Sequence, residues 1–236
     1  MTNKFIFDVD GTLTPSRGVI DKDFKEWFTD FCVNNEVYLV TGSDYPKTVE
    51  QLGKYLCRWP VYIFNCSGND VWAKGENIKT NSWSLPEDAR SWLNEKLNAS
   101  GFPLRTGQHI EDRLGTVNFS IVGRGATLKE RIIYQEWDSE HEERRRISVE
   151  FNHLFQNLES RIGGETGIDI YQKGYDKSQI LKYFDKDDVL YFFGDRCDPG
   201  GNDYPLAKKI KNSFHVKNWQ DTWKRLQYLQ EAKIAK

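Results

Sequence analysis

No apolar stretch in this 236-residue sequence approaches the ~20 residues of a membrane span, and its first residues lack the basic segment and long apolar run of a secretion signal. The expected setting is therefore soluble and intracellular, in the cytoplasm. Cys32, Cys57, Cys66 and Cys197 show no C-x-x-C spacing, so the sequence suggests neither a zinc site nor a disulfide framework, and reduced thiols are expected. Neither sign of charge dominates: the formal net charge is −2, which argues against broad nucleic-acid or membrane-surface binding. A small-molecule partner is what remains. Internal repeats and low-complexity linkers are also missing.

Tryptophan is abundant, with eight residues, which raises the idea of sugar stacking. Core packing is the stronger reading, because Trp27, Trp219 and Trp223 fall in helix-like segments that need a large apolar face. The run Glu142-Glu143-Arg144-Arg145-Arg146 mixes signs and reads as a solvated helix face rather than a nucleic-acid patch.

The most informative stretch is Asp8-Val9-Asp10-Gly11-Thr12, which follows the buried-strand pattern Phe5-Ile6-Phe7. In extended geometry alternate side chains share a side, so Asp8 and Asp10 would project together, roughly 6.6 Å apart at ~3.3 Å per residue. One carboxylate can then attack an electrophile while its neighbour handles a proton. Two carboxylates this close repel unless a divalent cation and a basic residue compensate. A calcium loop needs a third oxygen donor and a glycine at its sixth position, but Thr12 and Leu13 stand at the fifth and sixth. An accidental acidic turn is the other plain reading.

From the start to about residue 79, apolar runs alternate with helix-like segments, as in a parallel α/β sheet. Asp21 to Asn34 reads as a helix, Val37 to Val40 as a strand, and Thr41-Gly42-Ser43-Asp44 opens a helical segment through Leu56, capped by Ser43 or Asp44. Val61 to Phe64 is the third strand, followed by the turn-rich Cys66-Ser67-Gly68-Asn69. The middle changes character. Pro86 to Asn98 reads as an amphipathic helix, Thr116 to Ile121 and Ile168 to Tyr171 alternate like half-exposed antiparallel strands, and Leu128 to Arg146 is helical in composition. After Gly174 the first pattern resumes, with a helix over Lys177 to Tyr183 and a buried strand over Val189 to Phe193. A parallel core, residues 1–79 and 177–236, interrupted by an α+β insertion over 80–176, is the simplest arrangement.

In an open α/β sheet, ligand groups gather beyond the carboxyl ends of the strands. Asp8, Asp10, Thr41 and Asp195 all fall at such ends. Mg²⁺ usually keeps several waters, so a few carboxylates plus substrate phosphate suffice. The expected ligands are Asp8, Asp195 and the backbone carbonyl of Asp10, with Asn202 and Asp203 supporting them from the loop Pro199-Gly200-Gly201-Asn202-Asp203. Lys177, lying in order between the two acidic strand ends, would balance the carboxylates and meet a transferring phosphoryl group.

The DVDGT run, the strand-end TGSD, Lys177 and GDRCDPGGND together resemble the haloacid dehalogenase-like phosphotransferases. The middle segment is more discriminating. Arg113-Leu114-Gly115-Thr116-Val117-Asn118, Ile121-Val122-Gly123-Arg124, Lys129-Glu130-Arg131, Gly163-Gly164 through Asp169, and Gly174-Tyr175-Asp176-Lys177 resemble the eukaryotic-type α-phosphomannomutases, in order and over nearly the whole chain. This resemblance implies an α/β fold: a Rossmann-like catalytic core with a parallel sheet and an inserted α+β cap of the C2b type. It implies that Asp8 is the nucleophile, Asp10 the general acid/base, Thr41 or Ser43 holds phosphoryl oxygens, Lys177 neutralises charge and Asp195 holds Mg²⁺. Arg17, Arg113, Arg124 and Arg131 would bind substrate, with Asn118 and Asp169 reaching sugar hydroxyls. The implied reaction interconverts mannose 6-phosphate and mannose 1-phosphate, or the glucose phosphates, primed by a hexose 1,6-bisphosphate under a cap that excludes water. Related mutases commonly dimerise through the cap.

Two departures stand out. Cys66-Ser67-Gly68 replaces the family's usual Glu-Asn-Gly, and Gly167 stands where a cap serine normally contacts ligand. A sugar-phosphate phosphatase using the same Asp8 and Asp10 is the rival reading, and a catalytically silent sugar-phosphate-binding protein is the third.

Overall fold

The computed structural model describes residues 3–235, and the chain divides into two compact units. The first comprises residues 1–81, 175–199 and 203–236, and the second residues 82–174 with 200–202.

In the first unit β1 (Asn3–Phe7), β2 (Glu36–Val40), β3 (Tyr62–Asn65), β10 (Val189–Gly194) and β11 (Asn212–His215) form a parallel sheet. Its order is β11-β10-β1-β2-β3. Phe5 and Phe7 pack on one face with Phe24, Phe28 and Phe31 of α1 (Lys22–Asn34) and with Leu226 of α7 (Trp219–Glu231). Ile6 points to the other face, where it joins Tyr38, Val40, Phe192 and Leu206 of α6 (Tyr204–Ala207). Both faces are covered, which is why the strand reads as one apolar run instead of alternating. Trp27, Trp219 and Trp223 pack against the α1 side of this core.

Helix starts follow local chemistry. The Asp21 carboxylate accepts from the N–H groups of Asp23 and Phe24 to cap α1, and Asp44, rather than Ser43, caps α2 (Tyr45–Leu52) by accepting from Lys47. That helix stops at Gly53, whose φ of +85° an L side chain disfavours, so it is shorter than the segment through Leu56 expected from sequence. One further expectation is corrected. The sheet does not remain parallel to residue 79, because β4 (Asp70–Ala73) and β5 (Glu76–Thr80) extend it as an antiparallel hairpin beside β3. A four- to five-residue strand needs no crossover helix when the next strand returns through a tight turn, here with Lys74 and Gly75 both at positive φ. The helix expected over Lys177–Tyr183 is present and is of the 3₁₀ type, opened by Asp176, whose carboxylate accepts from the Ser178 N–H.

The second unit is a four-stranded antiparallel sheet ordered β6 (Ile110–Arg113), β7 (Thr116–Phe119), β9 (Gly167–Gln172), β8 (Leu158–Gly163). Val117, Phe119, Ile168 and Ile170 face an apolar core shared with α3 (Glu87–Ala99), α4 (Leu128–His141) and α5 (Glu143–Leu154). Thr116 and Asn118 on the opposite face are buried as well, so β7, a central strand, is not half-exposed as its alternation suggested. The segment Leu128 to Arg146, helical in composition, is divided between two helices. Glu142 adopts φ +49° and ends α4, and Glu143 starts α5. Nor is this junction simply solvated: Glu143 is buried and accepts from the Ser100 hydroxyl, while Arg144 bonds the Asp138 carboxylate at 2.7 Å. No helix among the described residues is long and apolar enough to cross a membrane.

Candidate active site

Strand order brings the acidic ends together. β1 lies between β10 and β2, so Asp8, Asp195 and Thr41 emerge from three adjacent strand ends, where connections from β1 and β10 lead to opposite sides. The Asp8 N–H donates to the Phe193 carbonyl at 2.9 Å, which carries the β1–β10 ladder one step beyond the strand.

Lys177 reaches this end from the 3₁₀ segment. Its ammonium donates to Asp8 Oδ1 at 2.5 Å and to Asp203 Oδ1 at 2.6 Å, and all three side chains are buried. The other Asp203 oxygen accepts from the Arg196 N–H at 3.0 Å, which fixes the loop after β10. One oxygen from each of Asp8, Asp195 and Asp203 lies within 4.8 Å of the others. Asp203 therefore lies within the carboxylate cluster, with both of its oxygens already accepting, one from Lys177 and one from the Arg196 N–H. Asn202 precedes it as a partly exposed loop residue.

Two glycines make the cluster sterically possible. A Cβ on Gly11, already at φ +81°, would sit 2.5 Å from Asp195 Oδ2, and a Cβ on Gly194 would sit 2.7 Å from Asp203 Oδ2. Asp8 and Asp203 share one ammonium in a dry setting, and Asp195, half-buried beside them, lies 3.5 Å from Arg196 Nε. Burial, reinforced by Asp203 and Asp195, pushes the Asp8 carboxyl well above its usual range against the pull of Lys177. Burial and Asp203 raise Asp195 to about 6. Burial opposes the charge on Lys177, but Asp203 and Asp8 outweigh it and hold the ammonium above the ordinary lysine range. Converging oxygens with an excess of negative charge suit a hard divalent cation.

Asp10 belongs to a separate set of contacts. Its Oδ1 accepts from the Arg17 backbone N–H at 2.7 Å and from Gln51 Nε2 at 2.9 Å, and its Oδ2 accepts from the Ser43 hydroxyl at 3.3 Å. The Arg17 side chain is exposed and its backbone sits at φ +58°, so what it offers Asp10 is the main chain. Thr41 Oγ1 accepts from the Ser43 N–H at 3.1 Å, tying the two residues into one loop.

In the second unit, register aligns polar side chains across one sheet face: Glu111, Asn118, Asp169 and Arg161 form one row on four neighbouring strands. Asn118 donates to Asp169 at 2.7 Å. The Glu111 Oε2 bridges two cations, 2.5 Å from Arg113 Nη2 and 3.0 Å from Arg124 Nε, and Arg113 also lies 3.9 Å from Asp169. Arg131 is placed differently: it is buried and donates to the Ala126 carbonyl and the Thr166 hydroxyl. Arg161 pairs with Glu159.

The sequence pattern of the eukaryotic phosphomannomutases matches residues 24–232. The chain belongs to that family. Phosphomannomutase 1 of Dictyostelium discoideum is 33% identical over 229 residues, covering 92% of each chain. Among solved structures, an IMP-nucleotidase from Plasmodium falciparum superposes with a TM-score of 0.65 at 13% identity, covering 98% of this chain and 68% of that one. A haloacid dehalogenase-like hydrolase from Bacteroides thetaiotaomicron gives 0.54 at 13% identity, covering 91% and 90%. At such identities these likenesses establish the fold: a mixed α/β haloacid dehalogenase-like architecture.

Against the phosphomannomutase pattern, the two departures acquire structural content. A Cβ at Gly167 would sit 2.5 Å from Asn118 Nδ2, so the Asn118 amide occupies space that a serine side chain there would need. Cys66 and Ser67 both take positive φ, +47° and +58°, while their N–H groups donate to the carbonyls of Ser43 and Thr41. Holding two non-glycine residues in this region costs about 1–2 kcal/mol each, a strain carried beside the Thr41–Ser43 loop. Sequence reasoning missed Gln51 and Glu111. The one available signal for Gln51 was a polar residue on the buried stripe Thr48, Gln51, Leu52 of α2.

Proposed function

We propose that this protein is a phosphohexomutase that interconverts mannose 6-phosphate and mannose 1-phosphate, with the glucose phosphates as further candidates, through an aspartyl-phosphate on Asp8. The observation that carries the reading is the buried Asp8–Lys177–Asp203 trio beside Asp195, in a chain of the phosphomannomutase family. Mg²⁺ is the cation this donor set fits: Asp8, Asp195 and the Asp10 main-chain carbonyl would hold it, with Asp203 beside them. When bound, it supplies charge neutralisation for the transferring phosphoryl oxygens.

The chain's own groups divide the work. Lys177 occupies Asp8 Oδ1, which leaves Oδ2 to form the new O–P bond while the bond from phosphorus to the sugar oxygen breaks. Asp10 gives its proton to that departing oxygen and, in the return step, takes the proton of the accepting hydroxyl. Thr41 and Ser43 hold phosphoryl oxygens. Phosphoryl transfer depends mainly on positioning and on stabilising spread charge, which a fixed ammonium supplies without reorganisation. Arg113, Arg124 and Arg131, with Arg17, bind the sugar phosphate, and Asn118 and Asp169 meet its hydroxyls. Arginine suits a phosphate because its planar fork donates two parallel bonds. A hexose 1,6-bisphosphate primes Asp8, and its reorientation lets the other phosphate return.

The remaining parts of the reading are a core of 1–79 and 177–236 with a cap of 80–176, a cytoplasmic location, no nucleic-acid or membrane partner, and a homodimer through the cap. Exposed Leu128, Ile132 and Ile133 on α4 support the last of these.

The deciding experiment follows mannose 1-phosphate and glucose 1-phosphate by ³¹P NMR with Mg²⁺ and catalytic hexose 1,6-bisphosphate. The 6-phosphates are the expected products. Free phosphate without them identifies a phosphatase, and no turnover with retained ligand-induced thermal stabilisation identifies a silent binding protein.

A further inference from the structure

Gln51 is buried without exposure, and its Nε2 faces three acceptors: Asp10 Oδ1 at 2.9 Å, Thr14 Oγ1 at 3.2 Å and the Gly18 carbonyl at 3.3 Å. Thr14 in turn donates to the Val9 carbonyl at 3.3 Å. The Gln51 main-chain carbonyl accepts from the Ile20 N–H at 2.9 Å. One residue of α2 thus holds the loop 10–20 through both side chain and backbone. Its Oε1, by contrast, is buried and finds no donor among the described residues. A buried carbonyl without a donor costs stability, so the amide is held here by what its Nε2 binds.

The geometry on Asp10 shows what that amide does. The two short bonds, from Gln51 and from the Arg17 N–H, both land on Oδ1, whereas Oδ2 receives only the longer 3.3 Å contact from Ser43. Two fixed N–H donors fill Oδ1, and Oδ2 is left available to a ligand. We infer that Gln51 is a positioning residue that locks Asp10 Oδ1 and so selects Oδ2 as the oxygen that exchanges a proton with the sugar hydroxyl. This rests on the reading of Asp10 as the general acid/base. The step is balanced: the proton on Oδ2 passes to the sugar oxygen as its bond to phosphorus breaks, and the reverse transfer restores it. Gln51 neither gains nor loses a proton.

A leaving group that needs no protonation separates this role from structural support. Gln51→Met keeps the length of the side chain and removes the donor. Transfer from mannose 1-phosphate or mannose 6-phosphate to Asp8 should slow by at least about tenfold, part of the 10²–10⁴ that general acid–base catalysis typically contributes in full. Phosphorylation of Asp8 by 4-nitrophenyl phosphate should stay within about threefold, because the departing phenolate is already a stable anion. A double-mutant cycle with Asp10→Asn guards against misfolding: once Asp10 has lost its acid, adding Gln51→Met should cost no more on sugar phosphate. Equal loss on both substrates, no loss on either, or a further loss in the Asp10→Asn background would overturn the inference. If Asp10→Asn alone left sugar-phosphate turnover intact, the reading of Asp10 itself would fall, a result distinct from failure at Gln51.

Discussion

Asp8 Oδ1 and Lys177 Nζ lie 2.5 Å apart although 169 positions separate them in the chain, and both are almost fully withdrawn from solvent. The contact joins the end of the first strand to a short 3₁₀ segment entered only after residues 82–174 of the second unit have been traversed. It ties the balance of charge at the site to correct assembly of the first unit.

Removing that ammonium should therefore damage stability as well as chemistry. Lys177→Met leaves Asp8 and Asp203 buried without a counter-charge, and breaking a buried pair in this way typically costs about 3–5 kcal/mol. Urea unfolding should show a midpoint lowered accordingly, partly recovered by added Mg²⁺, with phosphoenzyme formation lost. An unchanged midpoint would refute the structural part of this account.

Gly194 is required by its neighbour rather than by its own backbone angles. The Cβ of Gly194→Ala would stand 2.7 Å from Asp203 Oδ2 and 2.9 Å from the Phe192 ring, so a buried carboxylate or a core ring must shift. Overpacking of this kind costs about 1–3 kcal/mol. Thermal unfolding should register the loss, and Mg²⁺ affinity, measured by titration calorimetry, should fall with it if Asp203 has moved.

Glu111 places one carboxylate oxygen between two arginines assigned to sugar phosphate. Glu111→Gln keeps the shape and removes a competing negative charge, so KM for a sugar phosphate should drop. A change of about two- to fivefold matches the roughly 0.4–1 kcal/mol of a partly exposed pair. A raised KM would instead show that Glu111 matters through the orientation it gives Arg113 and Arg124.

At the amino ends of β1 and β10, Lys4 bonds Asp188 at 2.8 Å, and this contact holds the Asp188 carboxyl below its ordinary range. For a depressed carboxylate the contribution to stability is present above the unfolded value near ~3.9 and is lost as pH falls through the lower folded value. Thermal midpoints of Asp188→Asn should therefore sit below those of the parent at neutral pH and converge with them as the solution is acidified below about pH 4. Parallel curves would exclude Asp188 as a contributor to the acid limb.

Much of the first unit was legible because its information is local. Phe5-Ile6-Phe7 announces a strand buried on both faces, Asp21 and Asp44 cap the helices that follow them, and Asp8, Thr41 and Asp195 stand at strand ends. Local signals also misled. The helical composition of Leu128 to Arg146 hid the break at Glu142, since nothing in a charged run marks which residue turns left-handed. Likewise, apolar residues after β3 did not reveal whether the chain would cross over or fold back, and it folds back as β4 and β5.

By itself the sequence determined the residue types that chemistry needs: an acidic strand end followed by glycine, a lysine after the insertion, a second acidic end, and arginines in the inserted segment. Tertiary structure alone decided how those residues share their contacts. It made Asp203 a full partner of Lys177, assigned the amide of Gln51 to Asp10, and set Glu111 between Arg113 and Arg124. The physical reason is that a side chain's type fixes which bonds it can make, whereas its partner depends on which strand ends, helix faces and glycine gaps lie within about 3 Å of it, and only packing brings those together.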